Sequence, residues 1–244
     1  MITLRRANSR HVDELTSPGV WHSFYPFAES GQPHLSGFSV LEELDEDRLP
    51  PGAELPRHPH RPVEWLTYVH EGALAWVDEL GCSGVLRAGE FQRVASGRQH
   101  RHREVNASST EWVHVFRLGL RPSNVLVAGH EQRRFSLAER RGALQLVASH
   151  EPVEGVLRLD QDVRVYSAFL EPGHHVARAL EPGRVAWVQM VSGDAAVQGD
   201  WLSTGDGAAV SHERVVSITA ATEAEVLIID LPDEEADQEL GWPS

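Results

Sequence analysis

The sequence predicts an all-β chain built as two tandem barrel-like units. Three observations carry that reading: short apolar segments punctuated by turn residues, scarce helical periodicity, and an internal repeat. Twenty glycines and 14 prolines interrupt the 244 residues, which leaves few uninterrupted stretches long enough for a helix. Strand-like segments instead recur at 64–69, 73–77, 113–118, 144–148, 163–170, 185–191 and 226–230. Only 136–141 and the acidic stretch 233–240 have the composition of short helical turns.

The repeat begins at Pro51-Gly52 in PGAELPRHPHRPVEWLTYVHEG and again 121 residues later at Pro172-Gly173 in PGHHVARALEPGRVAWVQMVSG. Gly72 aligns with Gly193, and after a hairpin shorter by five residues Gly89 aligns with Gly205. Short antiparallel strands leave adhesive edges unless their sheets close, so a unit used twice predicts two closed barrels. The polar stretch 121–141 separates them. We therefore expect an N-terminal metal-binding barrel at 1–125, a C-terminal barrel without those ligands at 143–232, and an acidic tail at 233–244. Whether the barrels share a strand or exchange a terminal segment is left open.

With 41% hydrophobic and 24% charged residues the chain can form a sizeable core. Its 36 acidic against 22 basic residues give a net charge of −14, a sign that repels phosphate backbones and argues against direct nucleic-acid binding. Cys82 is the only cysteine, so no intrachain disulfide forms. No apolar run approaches the roughly 18–20 residues of a membrane span, and no export signal is read at the N-terminus. These features predict a soluble, cytoplasmic monomer.

The chemistry concentrates in two segments. His58-Pro59-His60 places two imidazoles on one face of an extended chain, about 6–7 Å apart at the backbone. Further on, His100, His102 and Glu104 share a face by the same period. Imidazoles with a carboxylate suit Fe(II), Mn(II), Ni(II), Cu(II) or Zn(II), and the lack of sulfur argues against a structural zinc cage. Glu64 lies on the parity of His60, where it could order a metal-bound water or accept a proton. Trp65, Tyr68, Trp76, Phe91, Trp112 and Phe116 read as core or pocket lining. No phosphate loop or serine nucleophile elbow occurs, and Cys82 falls in a hairpin turn.

The stretch from GAELPRHPHRPVE to GEFQRVASGRQH resembles the two conserved segments of the cupin superfamily. HPHRPVEWLTYVHEGALAWVDELGCSGVLRAGEFQRVASGRQHRHREVN, with LRLDQDVRVYSAFLEPG and LEPGRVAWVQMVSGDAAVQG later, more narrowly resembles the pirin family. That resemblance implies a bicupin, two tandem cupin-type β-barrels, with one iron site in the first. It places the metal ligands on His58, His60, His102 and Glu104. The broader cupin pattern would take Glu64 and His100 instead; RHREVN matches the pirin His-x-Glu segment better.

The family also implies quercetin 2,3-dioxygenase activity on a flavonol or related aromatic, with Glu104, Glu64 or His100 accepting the substrate proton. A non-catalytic, redox-dependent partnership with a transcription factor or metabolic enzyme is the alternative it implies. The chain departs from the family at Pro62-Val63, His70, Gln99 and His100. In the second barrel Ala179, Glu181, Ile218 and Ala220 are expected at the ligand positions, and His174, His175 and His212 are read as turn or surface residues.

Overall fold

The structure, a computed structural model, describes residues 1–12, 19–24, 37–55, 63–78, 81–96, 102–123 and 129–234. All seven expected strand segments overlap observed strands. The large sheet of the N-terminal unit runs, in spatial order, Gly129–Arg134, Glu90–Ser96, Val63–Glu71, Val113–Leu120, Leu41–Leu49, Val20–Phe24, His11–Val12. Its small sheet is Ser83–Arg87, Ala73–Asp78, His102–Asn106.

The C-terminal large sheet runs Ile2–Arg5, Gly207–Val210, Arg184–Ser192, Ala224–Pro232, Arg164–Leu170, Gln145–Ser149, Leu157–Arg158. The matching small sheet is His175–Ala179, Val215–Ala220, Asp194–Val197, Asp200–Ser203.

Two segments cross the boundaries drawn from sequence. Ile2–Arg5 pairs with Gly207–Val210 and so completes the C-terminal sheet. Gly129–Arg134 pairs with Glu90–Ser96 at the edge of the N-terminal sheet. That edge strand is almost wholly exposed, so no alternation of apolar residues marks it in the sequence. The turn at 136–141 does form a helix, Leu137–Arg140. Ser136 caps it: its hydroxyl accepts from the Glu139 amide, while its own amide donates to Glu139 Oε2 at 2.6 Å. Residues 235–240 lie outside the described residues.

The central strands carry apolar residues on both faces because both faces are covered. One face of Val63–Glu71 and Val113–Leu120 presents Leu66, Tyr68, Phe116 and Leu118 to a shared core with Val165, Trp187, Leu227 and Ile229 of the other barrel. The other face encloses a small apolar cluster, including Val69, Leu74, Leu86 and Val115. The C-terminal barrel is filled by Val, Ile, Leu, Ala and Met side chains such as Val188, Met190, Ile218 and Ile228.

The repeat is real in register and corrects one sequence alignment. Gly72 and Gly193 both turn with φ +77, and a Cβ at either would collide with backbone, at Trp112 and at Glu223 respectively. In the small sheets Trp76 opposes Glu104, whereas its counterpart Val197 opposes Ile218. Glu104 therefore corresponds to Ile218, and His102 to Val216, a shift of two residues from the alignment expected. The connection after the Gly89 and Gly205 turns is shorter in the second barrel, a length change that no turn residue signals. Val216, Ile218 and Ala220 are all buried.

The N-terminal segment straps the barrels together. Arg6 Nη1 donates to Asp206 Oδ2 at 2.8 Å, and Arg10 Nη1 to Glu46 Oε2 at 2.5 Å. His114 Nε2 lies 2.9 Å from Glu46 Oε1. Burial alone would raise the Glu46 pKa, but the His114 hydrogen bond and the Arg10 charge bring it down to about 2 from an ordinary 4.5. A depressed folded-state pKa stabilises the fold above the unfolded value, and that contribution fades as pH falls toward the folded one. We expect about 3 kcal/mol of stability to disappear between pH 4.5 and about 2. Urea unfolding across that window should show a shallower pH dependence in Glu46→Gln; an identical slope would refute the assignment.

Candidate metal centre

Along Leu41–Leu49 the acids Asp45 and Asp47 stand on one side of the sheet, opposite Arg117 and Val115 of the next strand. Arg117 is buried, with Nε donating to Asp47 Oδ2 at 2.6 Å and Nη2 to Asp47 Oδ1 at 3.0 Å. A longer contact of 3.4 Å reaches Asp45 Oδ2. Asp45 Oδ1 lies 2.6 Å from His22 Nδ1. Burial works against both cations, yet the carboxylates prevail. Asp47, Asp45 and Glu104 raise the Arg117 pKa, and Asp45 and Asp47 raise that of His22.

Glu104 is therefore a buried carboxylate, 7% exposed, in the field of Arg117. It sits on His102–Asn106 opposite Trp76.

His58, His60 and His100 lie outside the described residues, as does the side chain of His102, whose backbone opens the Glu104 strand. What the structure does place are the ends of the segments that carry them. The Leu55 amide, just before 56–62, donates to the Glu104 carbonyl at 2.9 Å. Val63, just after that segment, pairs with Ser96, just before 97–101. The described residues that flank the two segments thus lie on neighbouring strands. Among the described residues no group of three or more His, Cys, Asp or Glu side chains is arranged to hold a metal.

Glu64 is elsewhere. Its side chain is on the inter-barrel face with Leu66 and Tyr68, fully buried. Oε1 accepts from Arg93 Nε at 2.8 Å and from the Asp160 amide at 2.8 Å, while Oε2 accepts from the Gln161 amide at 3.0 Å. Both oxygens are engaged at the joint between barrels, which replaces the expected role as proton acceptor or water-ordering group.

His70, one of the departures from the family, is also a joint residue, with Nδ1 3.0 Å from Glu225 Oε2. Arg140 meets the same carboxylate, and also Tyr68 Oη at 3.0 Å and Ser167 Oγ at 3.2 Å. Burial would raise the Glu225 pKa; His70 and Arg140 lower it.

Of the aromatics expected in the core, Trp65, Tyr68, Phe91 and Phe116 are buried and Trp76 partly so, but Trp112 is 60% exposed. Cys82 is exposed in the hairpin turn, as expected. His22, Asp45, Asp47 and Arg117 were not anticipated as site residues. The acids on alternating positions of LEELDEDRL, and the one arginine in the largely apolar VHVFRLGL, were the available signal.

Comparison with known proteins agrees with this architecture. The pirin family model matches residues 12–119, and a model described as the quercetinase C-terminal cupin domain matches residues 146–231. A quercetin 2,3-dioxygenase of Escherichia coli K12 is 36% identical over 233 residues, 95% of this chain and 99% of that one. The chain belongs to the pirin family. It is also 30% identical over 208 residues to a pirin-like protein of Caulobacter vibrioides, covering 84% of this chain and 89% of that protein.

The crystal structure of a bacterial pirin from E. coli in complex with nickel(II) superposes with a TM-score of 0.85 at 36% identity. The match covers 95% of this chain and 99% of that one. The all-β bicupin fold is thereby established, and a relative with this fold binds a metal. No helix among the described residues is long and apolar enough to cross a membrane.

The joint yields a direct test. Arg93→Ala would strand the Glu64 carboxylate in the pirin interface with only two amides. It should lower unfolding stability by about 3–5 kcal/mol in chemical denaturation; a loss under about 1 kcal/mol would mean the pair is a bystander.

Proposed function

We propose that the chain is a metal-dependent oxidoreductase of the quercetin 2,3-dioxygenase type, cleaving a flavonol or related enolic aromatic with dioxygen. The observation that carries the reading is the Glu104 carboxylate, buried inside a barrel whose chain is 36% identical along nearly its whole length to a protein named for that activity. His58, His60, His102 and Glu104 would hold one divalent ion, and this set of three imidazoles and a carboxylate suits iron, the family's metal, as well as nickel or manganese. When bound, such an ion supplies Lewis acidity that stabilises a deprotonated hydroxyl.

The protein's own groups do the rest. Arg117, fixed by Asp45 and Asp47, places a guanidinium charge within electrostatic reach of the Glu104 carboxylate. Glu104 and His100 are the two proton acceptors for the substrate hydroxyl, Glu64 being committed to Arg93. For a flavonol the reaction opens the central ring and releases carbon monoxide.

Elemental analysis of protein purified without an affinity tag should find about one transition-metal ion per chain. His102→Ala and Glu104→Ala should lose it while circular dichroism stays that of the native fold. Aerobic consumption of quercetin should then fall by about 100-fold or more, at least the loss seen when supporting residues of metal sites are removed. A metal-loaded wild type that neither binds quercetin anaerobically nor consumes it in air would eliminate the flavonol reading.

A further inference from the structure

Two positions beyond Glu104, on the same strand and the same buried side, stands Asn106. Its Nδ2 donates to the carbonyls of Leu49 and Pro50, each at 3.0 Å, and of Glu111 at 2.8 Å. Its Oδ1 accepts from the Ser108 amide at 2.9 Å. A primary amide has two N–H donors, so both are engaged among these three carbonyls. A buried amide satisfied in this way holds the segments it bridges in one arrangement.

The bridged segments are those that lead to the candidate ligands. His102–Asn106 carries His102 and Glu104. Leu49 ends its strand, and Pro50 opens the chain that runs through Ala53 and Leu55 into 56–62, the segment of His58 and His60. Backbone bonds extend the same tie. The Asn106 amide donates to the Ala53 carbonyl at 2.8 Å, and the Leu55 amide to the Glu104 carbonyl at 2.9 Å.

The second barrel supplies an internal control. Because Ile218 takes the position of Glu104, Ala220 takes that of Asn106. The backbone bonds are kept there: the Ala220 amide donates to the His174 carbonyl at 2.9 Å. The Ala221 amide donates to the Asp194 carbonyl at 2.8 Å, as the Ala107 amide does to Ala73 at 2.9 Å. A barrel of this kind therefore closes without a side-chain clamp, and the clamp stands in the copy that carries the candidate ligands. Part of it serves a longer turn, 107–112 against 221–223, in which Ser108 Oγ also accepts from the Thr110 and Glu111 amides. The bonds to Leu49 and Pro50 lie outside that turn.

We propose that Asn106 is a positioning residue for the metal centre. It acts through the backbone of both ligand-bearing segments and fixes one against the other, the kind of support that keeps a site in its binding geometry. This role rests on the metal centre proposed above.

The test is titration of the metal-free full chain with nickel(II) against a competing chelator. Asn106→Ala should weaken nickel binding by about 10- to 100-fold, the loss typical when a supporting residue of a metal site is removed. Its metal-free circular dichroism should stay that of the native fold. Asn106→Asp, which keeps an acceptor for the Ser108 amide and loses the Nδ2 donors, should weaken nickel likewise. Ser108→Ala, which loosens the turn and leaves the bonds to Leu49 and Pro50, should bind nickel as the wild type does. Unchanged affinity in both Asn106 variants overturns the proposal and leaves the metal centre standing. So does an equal loss in Ser108→Ala, or unfolding of both metal-free Asn106 variants, which would make the amide a requirement of the barrel. A wild type that binds no nickel overturns the metal centre and the role of Asn106 together.

Discussion

Leu66, Tyr68, Phe116 and Leu118 of one barrel share a core with Val165, Trp187, Leu227 and Ile229 of the other, so each large sheet is covered on both faces. Sheets covered in this way cannot slip by one residue without exchanging the side chains packed on their two faces. Register in Val63–Glu71, Val113–Leu120, Arg184–Ser192 and Ala224–Pro232 is thus set from two sides at once. The same contact decides where charge can go. Glu64, Arg93, Tyr68, Arg140 and Glu225 are buried in the joint, and each is compensated by a partner from another strand or from the other barrel. Removing one partner leaves a bare buried charge, which gives these pairs more value for fixing the docking geometry than for net stability.

The N-terminal strap follows from the same constraint. A two-barrel stack leaves the edge beside Gly207–Val210 open, and Ile2–Arg5 covers it by backbone pairing before the chain returns to its own barrel at His11–Val12. Arg6 and Arg10 anchor the return on Asp206 and Glu46, one in each half. Covering an edge with a segment from the neighbouring unit removes an adhesive surface.

Strand positions and the tandem repeat were legible because each is written in local alternation or in turn glycines. The strand Gly129–Arg134 was not, because it is paired through backbone alone and shows its side chains to solvent. The fate of Ile2–Arg5 was not, because β-pairing carries no label for the sheet it joins. Glu64 was misplaced for a related reason: its partners Arg93, Asp160 and Gln161 come from another strand and from the other side of the barrel joint, which the pattern of its own strand does not encode. His70, one of the departures from the family, is a contact with Glu225 across the joint, which no single-strand pattern can express.

The two barrels show how one fold is divided between chemistry and support. By register, the interior positions of Asp45, Asp47 and Arg117 in the first barrel are those of Tyr166, Ala168 and Ile228 in the second. Placing two carboxylates and a guanidinium inside a barrel forgoes apolar burial there, at about 25 cal/mol for each Å² not removed from water. It also imposes desolvation that the ion pairs only partly offset. Among the described residues the first barrel has a small apolar cluster on its inner face, whereas the second is apolar nearly throughout. The first barrel therefore draws its stability from the shared core, and the second needs no polar interior because it supplies that core.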